Sequence, residues 1–116
     1  MSITITTLAQ LQDARETAKS NDCPLLVQCG SPVCQRCPDF TKEVQQLALK
    51  YKFHFVYINT HDAEEDLIEE IQVAQLPAYI LETQQEVHKQ QSARPVDVRE
   101  VVSGSCKPVL VLDEDF

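Results

Sequence analysis

Between two stretches of helical periodicity stands a short run, Leu25-Leu26-Val27, that is apolar at every position. A strand with one wet face alternates apolar and polar residues; a strand that does not alternate must be covered on both faces. The run is therefore expected to be a central strand, with helices on both sides of its sheet. Upstream, Leu8, Leu11, Ala14 and Ala18 recur at three- and four-residue steps, with Thr7 as a cap and Asn21-Asp22-Cys23-Pro24 as a stop. Downstream, Gly30-Ser31-Pro32 reads as a loop. Phe40, Val44, Leu47, Ala48 and Tyr51 then share one face of the clearest helix in the chain.

The remaining segments continue the alternation. Ile3 to Thr6 alternates Ile and Thr, and Phe53 to Asn59 is aromatic and β-branched, so both read as strands. His61 to Gln75 is acidic, with Leu67, Ile68 and Ile71 on one face of a short helix, and Leu76-Pro77 closes it. Ala78 to Glu82 and Glu86 to Lys89 read as two strands joined through Thr83-Gln84-Gln85, a turn with no glycine to favour a tight hairpin. Pro95 opens a last helix carrying Val98, Val101 and Val102, which Ser103-Gly104 ends. The order β-α-β-α-β-α-β-β-α implies an α/β fold, a central mixed β-sheet flanked by helices on both faces. At 116 residues, with 43% apolar and 24% charged, one globular domain is expected. Residues 1–104 are its body, and residues 105–116 form a C-terminal extension with an acidic end.

Charge and cysteine usage narrow the function. With 18 acidic against 10 basic residues the net charge is -8, which disfavours nucleic acid and anionic membranes as partners. No apolar run is long enough to span a bilayer. The start, Met-Ser-Ile-Thr-Ile-Thr-Thr, lacks the basic and apolar parts of a signal peptide, so a cytoplasmic, reducing location is expected. Of five cysteines, Cys34 and Cys37 form a Cys-x-x-Cys pair, Cys34-Gln35-Arg36-Cys37. In a reducing compartment such a pair is redox-active, metal-binding or incidental. Cys34 lies where the loop meets the long helix, and the unpaired first amides and positive dipole end there favour a thiolate. Cys37, three residues on, can attack a mixed disulfide formed at Cys34. Arg36 adds positive charge beside the pair, and Pro38 costs little in a first turn. Strand-then-helix placement favours the redox reading. A zinc site needs about four ligands, usually two close pairs, and only one pair is present. His54 is expected to face solvent, and His61 and His88 lack partners at ligand spacing; no metal is expected.

The pattern resembles the thioredoxin family from Ile3 to about Ser103. Leu25 through Cys37 aligns without gaps on the strand, loop and Cys-x-x-Cys of that family, and Leu76-Pro77 falls where it carries a cis-proline. Ile58-Asn59 and Glu86-Val87 also match. The resemblance implies a thioredoxin fold and thiol–disulfide exchange, with Cys34 as nucleophile and Cys37 as resolving thiol. It further implies that Pro77 is cis, lies against the pair, and leaves neighbouring backbone to accept an extended substrate segment as an added strand. The chain departs from the family at several points. Gln35-Arg36 replaces Gly-Pro, Val33 replaces the Trp before the motif, and Ala93 replaces the Gly bordering the substrate groove. Gln28 replaces a buried Asp, and Tyr57 replaces its nearby Lys. Gln cannot titrate, so it cannot serve as a general base. A narrower substrate range, or weaker disulfide reduction, is the natural expectation.

Other residues have plainer readings. Cys29, at the end of a buried strand, is expected to be a core thiol, and Cys23 a bystander in a turn. Cys106, if exposed, is a candidate for mixed disulfides. The run Glu64, Glu65, Asp66, Glu69 and Glu70 is expected to be a solvated helix face. Val109 to Leu112, followed by Asp113-Glu114-Asp115-Phe116, either packs back on the domain or docks on a protein partner. The favoured function is a thiol–disulfide oxidoreductase acting on protein disulfides, with Cys34 and Cys37 catalytic and Arg36, Leu76 and Pro77 in support. It needs no bound cofactor, and a thioredoxin reductase or glutathione system would supply its electrons. The alternative is a binding or assembly component with weak or no redox activity, docking through residues 105–116.

Overall fold

A computed structural model describes residues 3–109. The elements in chain order are β1 (Ile3–Ile5), α1 (Leu8–Ser20), β2 (Leu25–Gly30), α2 (Cys37–Lys50), β3 (His54–Asn59), α3 (Glu65–Ile71), β4 (Ala78–Glu82), β5 (Val87–Gln90) and α4 (Pro95–Ser105). The apolar run extends to Gly30, and all six residues of β2 are buried. Its place explains why: the sheet order is β1-β3-β2-β4-β5, so β2 is the middle strand. It pairs in parallel with β3 and antiparallel with β4, which makes the sheet mixed.

Alternation along β2 divides the interior in two. Leu25, Val27 and Cys29 point into a cluster with Leu11, Ala14 and Ala18 of α1 and Leu67 and Ile71 of α3. Leu26 joins Phe40, Val44 and Leu47 of α2 with Val98 and Val102 of α4. Helices thus cover both faces, and this is a thioredoxin fold. His54, expected on the solvent side, is half-buried instead. It shares the α1 face with Val56 and Ile58, because positions two apart on a strand point the same way.

Local chemistry places the element ends. Thr7 and Gln10 form a reciprocal capping box: the Gln10 amide donates to Thr7 Oγ1, and the Thr7 amide donates to Gln10 Oε1, each at 3.1 Å. The glycine-free hairpin between β4 and β5 is built on Thr83 instead. Its hydroxyl accepts from the amides of Gln85 (3.2 Å) and Glu86 (3.0 Å), while its own amide donates to the Glu86 carbonyl at 2.8 Å. Two expected helix ends shift. Tyr51 lies just past α2 in extended backbone. Gly104 lies inside α4, because the helix is closed by the buried Cys106, whose amide donates to the Val102 carbonyl.

Past α4 the chain runs beside Tyr51. The Lys52 amide donates to the Lys107 carbonyl and the Val109 amide to the Lys50 carbonyl, both at 2.8 Å. The rest of the apolar run and the acidic end, residues 110–116, lie outside the described residues. Among the described residues no helix is long and apolar enough to cross a membrane.

Candidate active site

The loop after β2 and the start of α2 hold the cysteine pair. The Cys34 amide donates to the Ser31 carbonyl at 3.2 Å, and the Cys37 amide donates to the Cys34 carbonyl at 3.3 Å. The two cysteines therefore close a tight turn rather than a turn of helix. Cys37, not Cys34, takes the first helical position; the first bond of the helical ladder runs from the Phe40 amide to the Arg36 carbonyl. Pro38, with no N–H, sits in that first turn, where amides lack helical partners anyway. Cys34 and Cys37 are joined in a disulfide, with Cα atoms 5.4 Å apart.

The two sulfurs occupy different environments. Cys34 is half-buried at the rim of an open depression of about 440 Å³, whose other lining includes Val33, Arg36, Ala74 and Leu76. Cys37 is only 4% exposed. Val33 is 87% exposed, so an apolar side chain stands in solvent beside the reactive turn. The Leu76-Pro77 bond is cis. Leu76 lines the same depression as Cys34, and Pro77 is buried behind it. Five sequence-singled residues therefore gather at one end of the sheet: Cys34, Cys37, Arg36, Leu76 and Pro77.

Hydrogen bonds tie this end together. Arg36 donates to the carbonyls of Ser92 (3.4 Å) and Ala93 (3.2 Å), and the buried Ala93 donates its amide to the Pro77 carbonyl at 2.8 Å. Gln91 fixes the other side of the proline turn, its Oε1 accepting from the amides of Ala74 (2.6 Å) and Gln75 (3.1 Å). Nothing in the sequence pattern marks Gln91 for this task; an amide side chain in a loop has too many possible partners.

Below the pair, Gly30 has a steric reason to be glycine. A Cβ there would stand 2.6 Å from the Tyr57 hydroxyl and 3.2 Å from Cys37 Sγ. Gln28 is wholly buried; its Nε2 donates to Thr41 Oγ1 at 2.6 Å, and its Oε1 has no partner.

The other cysteines are not part of this site. Cys29 is wholly buried, and burial pushes its thiol up to about 12. Cys106 is 7% exposed rather than open to solvent, and burial pushes it up to about 11. Burial also raises Cys23, which is half-buried in its turn. The acidic residues from Glu64 to Glu70 are exposed, as a solvated helix face should be. Among the described residues no three His, Cys, Asp or Glu side chains gather closely enough to hold a metal ion.

The thioredoxin family model matches residues 6–103. No curated sequence matches the chain at a significant level. Among solved structures, thioredoxin O1 of Arabidopsis thaliana in its oxidized state superposes with a TM-score of 0.79 at 10% identity, over 91% of this chain and 98% of that one. The thioredoxin of Schistosoma mansoni gives 0.77 at 17% identity, over 89% and 94%. Deadhead, a germline-specific thioredoxin of Drosophila melanogaster, gives 0.73 at 20% identity, over 87% and 96%. At such identities the superpositions establish the shared fold.

Proposed function

Because this chain belongs to the thioredoxin family and is a thiol–disulfide oxidoreductase, we propose that Cys34 attacks protein disulfides and that Cys37 resolves the resulting intermediate. One observation carries the assignment: Cys34 reaches the surface depression while Cys37 is buried. In the reduced enzyme the Cys34 thiolate attacks one sulfur of a substrate disulfide, and the other sulfur leaves as a thiolate that takes a proton. Cys37 then loses its proton and attacks Cys34 Sγ. The Cys34–substrate bond breaks and the second substrate thiol departs. The enzyme's two thiols are oxidised to the disulfide and the substrate disulfide is reduced to two thiols.

The supporting residues have distinct tasks on this reading. Leu76 and Val33 give a substrate segment apolar contact beside Cys34, and Pro77 shapes the groove. Arg36 joins the cysteine turn to the Ser92-Ala93 loop and places positive charge near the Cys34 thiolate. All of these lie within residues 1–104, the working domain, with residues 105–116 an appendage to it. A thioredoxin reductase or a glutathione system returns the disulfide to thiols, so the protein passes electrons onward and contributes to redox homeostasis. A cytoplasmic setting suits the three cysteines held as free thiols. Insulin reduction with dithiothreitol as electron source tests the assignment. The wild-type protein should accelerate precipitation, Cys34→Ser should abolish the effect, and Cys37→Ser should accumulate a mixed disulfide detectable by mass. A Cys34→Ser variant with wild-type activity overturns it.

A further inference from the structure

The notch at Gly30 brings two groups together that no motif joins. The Tyr57 hydroxyl and Cys37 Sγ lie 2.6 and 3.2 Å from the point where a side chain on Gly30 would begin. We propose that the Tyr57 hydroxyl donates a hydrogen bond to the Cys37 sulfur of the reduced pair and so stabilises the thiolate that performs the resolving step. The proposal rests on the exchange reaction assigned above.

The step needs such a donor. Cys37 must lose its proton to attack Cys34, and burial disfavours the thiolate by removing its water. A hydrogen bond to the charged form offsets that cost. The nearby groups supply few other means. On β2, Gln28 is neutral and Gly30 has no side chain, while Cys29 points into the opposite cluster. On the segment of Cys37 itself, Asp39 is exposed and Arg36 is engaged with Ser92 and Ala93. On α4, Asp97 is held by Arg94 and Arg99 by Glu43. On β4, Tyr79 is held by Gln90 and Glu82 by Arg15. The Tyr57 hydroxyl has no hydrogen bond among the described residues, and it shares the Gly30 notch with the Cys37 sulfur. Burial raises its own proton affinity above the ordinary phenol value, so it stays a donor across the range in which a thiol titrates.

Ellman's disulfide reports the two steps separately. Mixed with the dithiothreitol-reduced and desalted protein in a stopped-flow instrument, it should release two equivalents of coloured thiolate: the first from attack by Cys34, the second from attack by Cys37. Cys34→Ser, which should show neither phase, corrects for other thiols. Tyr57→Phe keeps the ring and removes only the hydroxyl. We expect its first phase to match wild type, and the pH midpoint of its second phase to rise by about one unit. That is roughly a tenfold slower second phase at pH 7, because one pKa unit is tenfold in thiolate, with the two proteins converging at high pH. A purely structural role for Tyr57 would not produce that convergence. An unchanged second-phase midpoint in folded Tyr57→Phe, judged by circular dichroism, overturns the proposal. Absence of both phases in wild type overturns the exchange reaction itself.

Discussion

The five cysteines of this chain divide between two regions. Cys34 and Cys37 stand where the central strand hands over to a helix, in a tight turn at the rim of an open depression. Cys29 and Cys106 lie in the two apolar clusters, and Cys23 packs at the margin of one of them. The same side chain thus has opposite prospects. At the turn it can reach a substrate and meet donors. In the clusters it is a small apolar residue whose proton is held by the lack of water. Reactivity here is a property of position, and a count of cysteines says little about it.

Alkylation sharpens this contrast most. At pH 8 a thiol pushed up to about 12, as at Cys29, is ionised in roughly one molecule in 10⁴; one pushed up to about 11, as at Cys106, in roughly one in 10³. Burial slows reagent access further. In the reduced native protein, iodoacetamide should therefore modify Cys34 at least about a thousandfold faster than Cys29 or Cys106, with Cys23 between. Peptide mass spectrometry reads each site, and in urea the rates should converge. Rapid native labelling of Cys29 would erase the distinction between the regions.

How much of this was legible depended on how local each cause is. The central strand and the capped first helix follow from neighbours in sequence, an unbroken apolar run and Thr7 at the head of the helix, whereas the helix expected to open at Cys34 opens at Cys37. The Leu76-Pro77 turn was marked by its proline. What could not be read was decided by contacts between distant segments. Gly104 looked like a helix stop, but the end is set by burial of Cys106. Gly30 looked like a loop glycine, yet its reason is Tyr57, brought alongside by pairing of β2 with β3. Cys106 looked free because nothing local says that it caps α4 from inside a cluster. Gln91 and Arg36 bridge loops that only the folded chain brings together.

Gly30→Ala probes the boundary between the two regions. The added methyl carbon would stand 2.6 Å from the Tyr57 hydroxyl, 3.1 Å from Tyr57 Cε1 and 3.2 Å from Cys37 Sγ. The first of these is closer than real side chains approach, so the phenol or the strand must move. Overpacking of this kind costs about 1–3 kcal/mol, which urea denaturation will read. Moving the phenol away from Cys37 should also slow the second phase with Ellman's disulfide. Gly30→Ala combined with Tyr57→Phe relieves the closest contact alone. It should lose less stability than the two single changes added together, as expected for residues that touch.

The smallest effect belongs to Arg36, and it separates two ways in which one residue can serve the reactive region. Its guanidinium reaches two carbonyls of the Ser92-Ala93 loop, and it also carries charge two residues from Cys34. Arg36→Lys keeps the charge and loses the planar fork that meets both carbonyls, whereas Arg36→Gln loses charge and fork together. An exposed charge acts weakly through solvent and is screened within about 8 Å at physiological ionic strength. Arg36→Gln should therefore slow the first phase with Ellman's disulfide only about two- to threefold at low salt, and the difference should fade as salt is raised. Arg36→Lys should keep the wild-type rate if the charge is what Cys34 uses. If instead both variants slow alike and salt changes neither, the tie between the cysteine turn and the Ser92-Ala93 loop is the contribution, and Arg36 acts by holding the depression in shape.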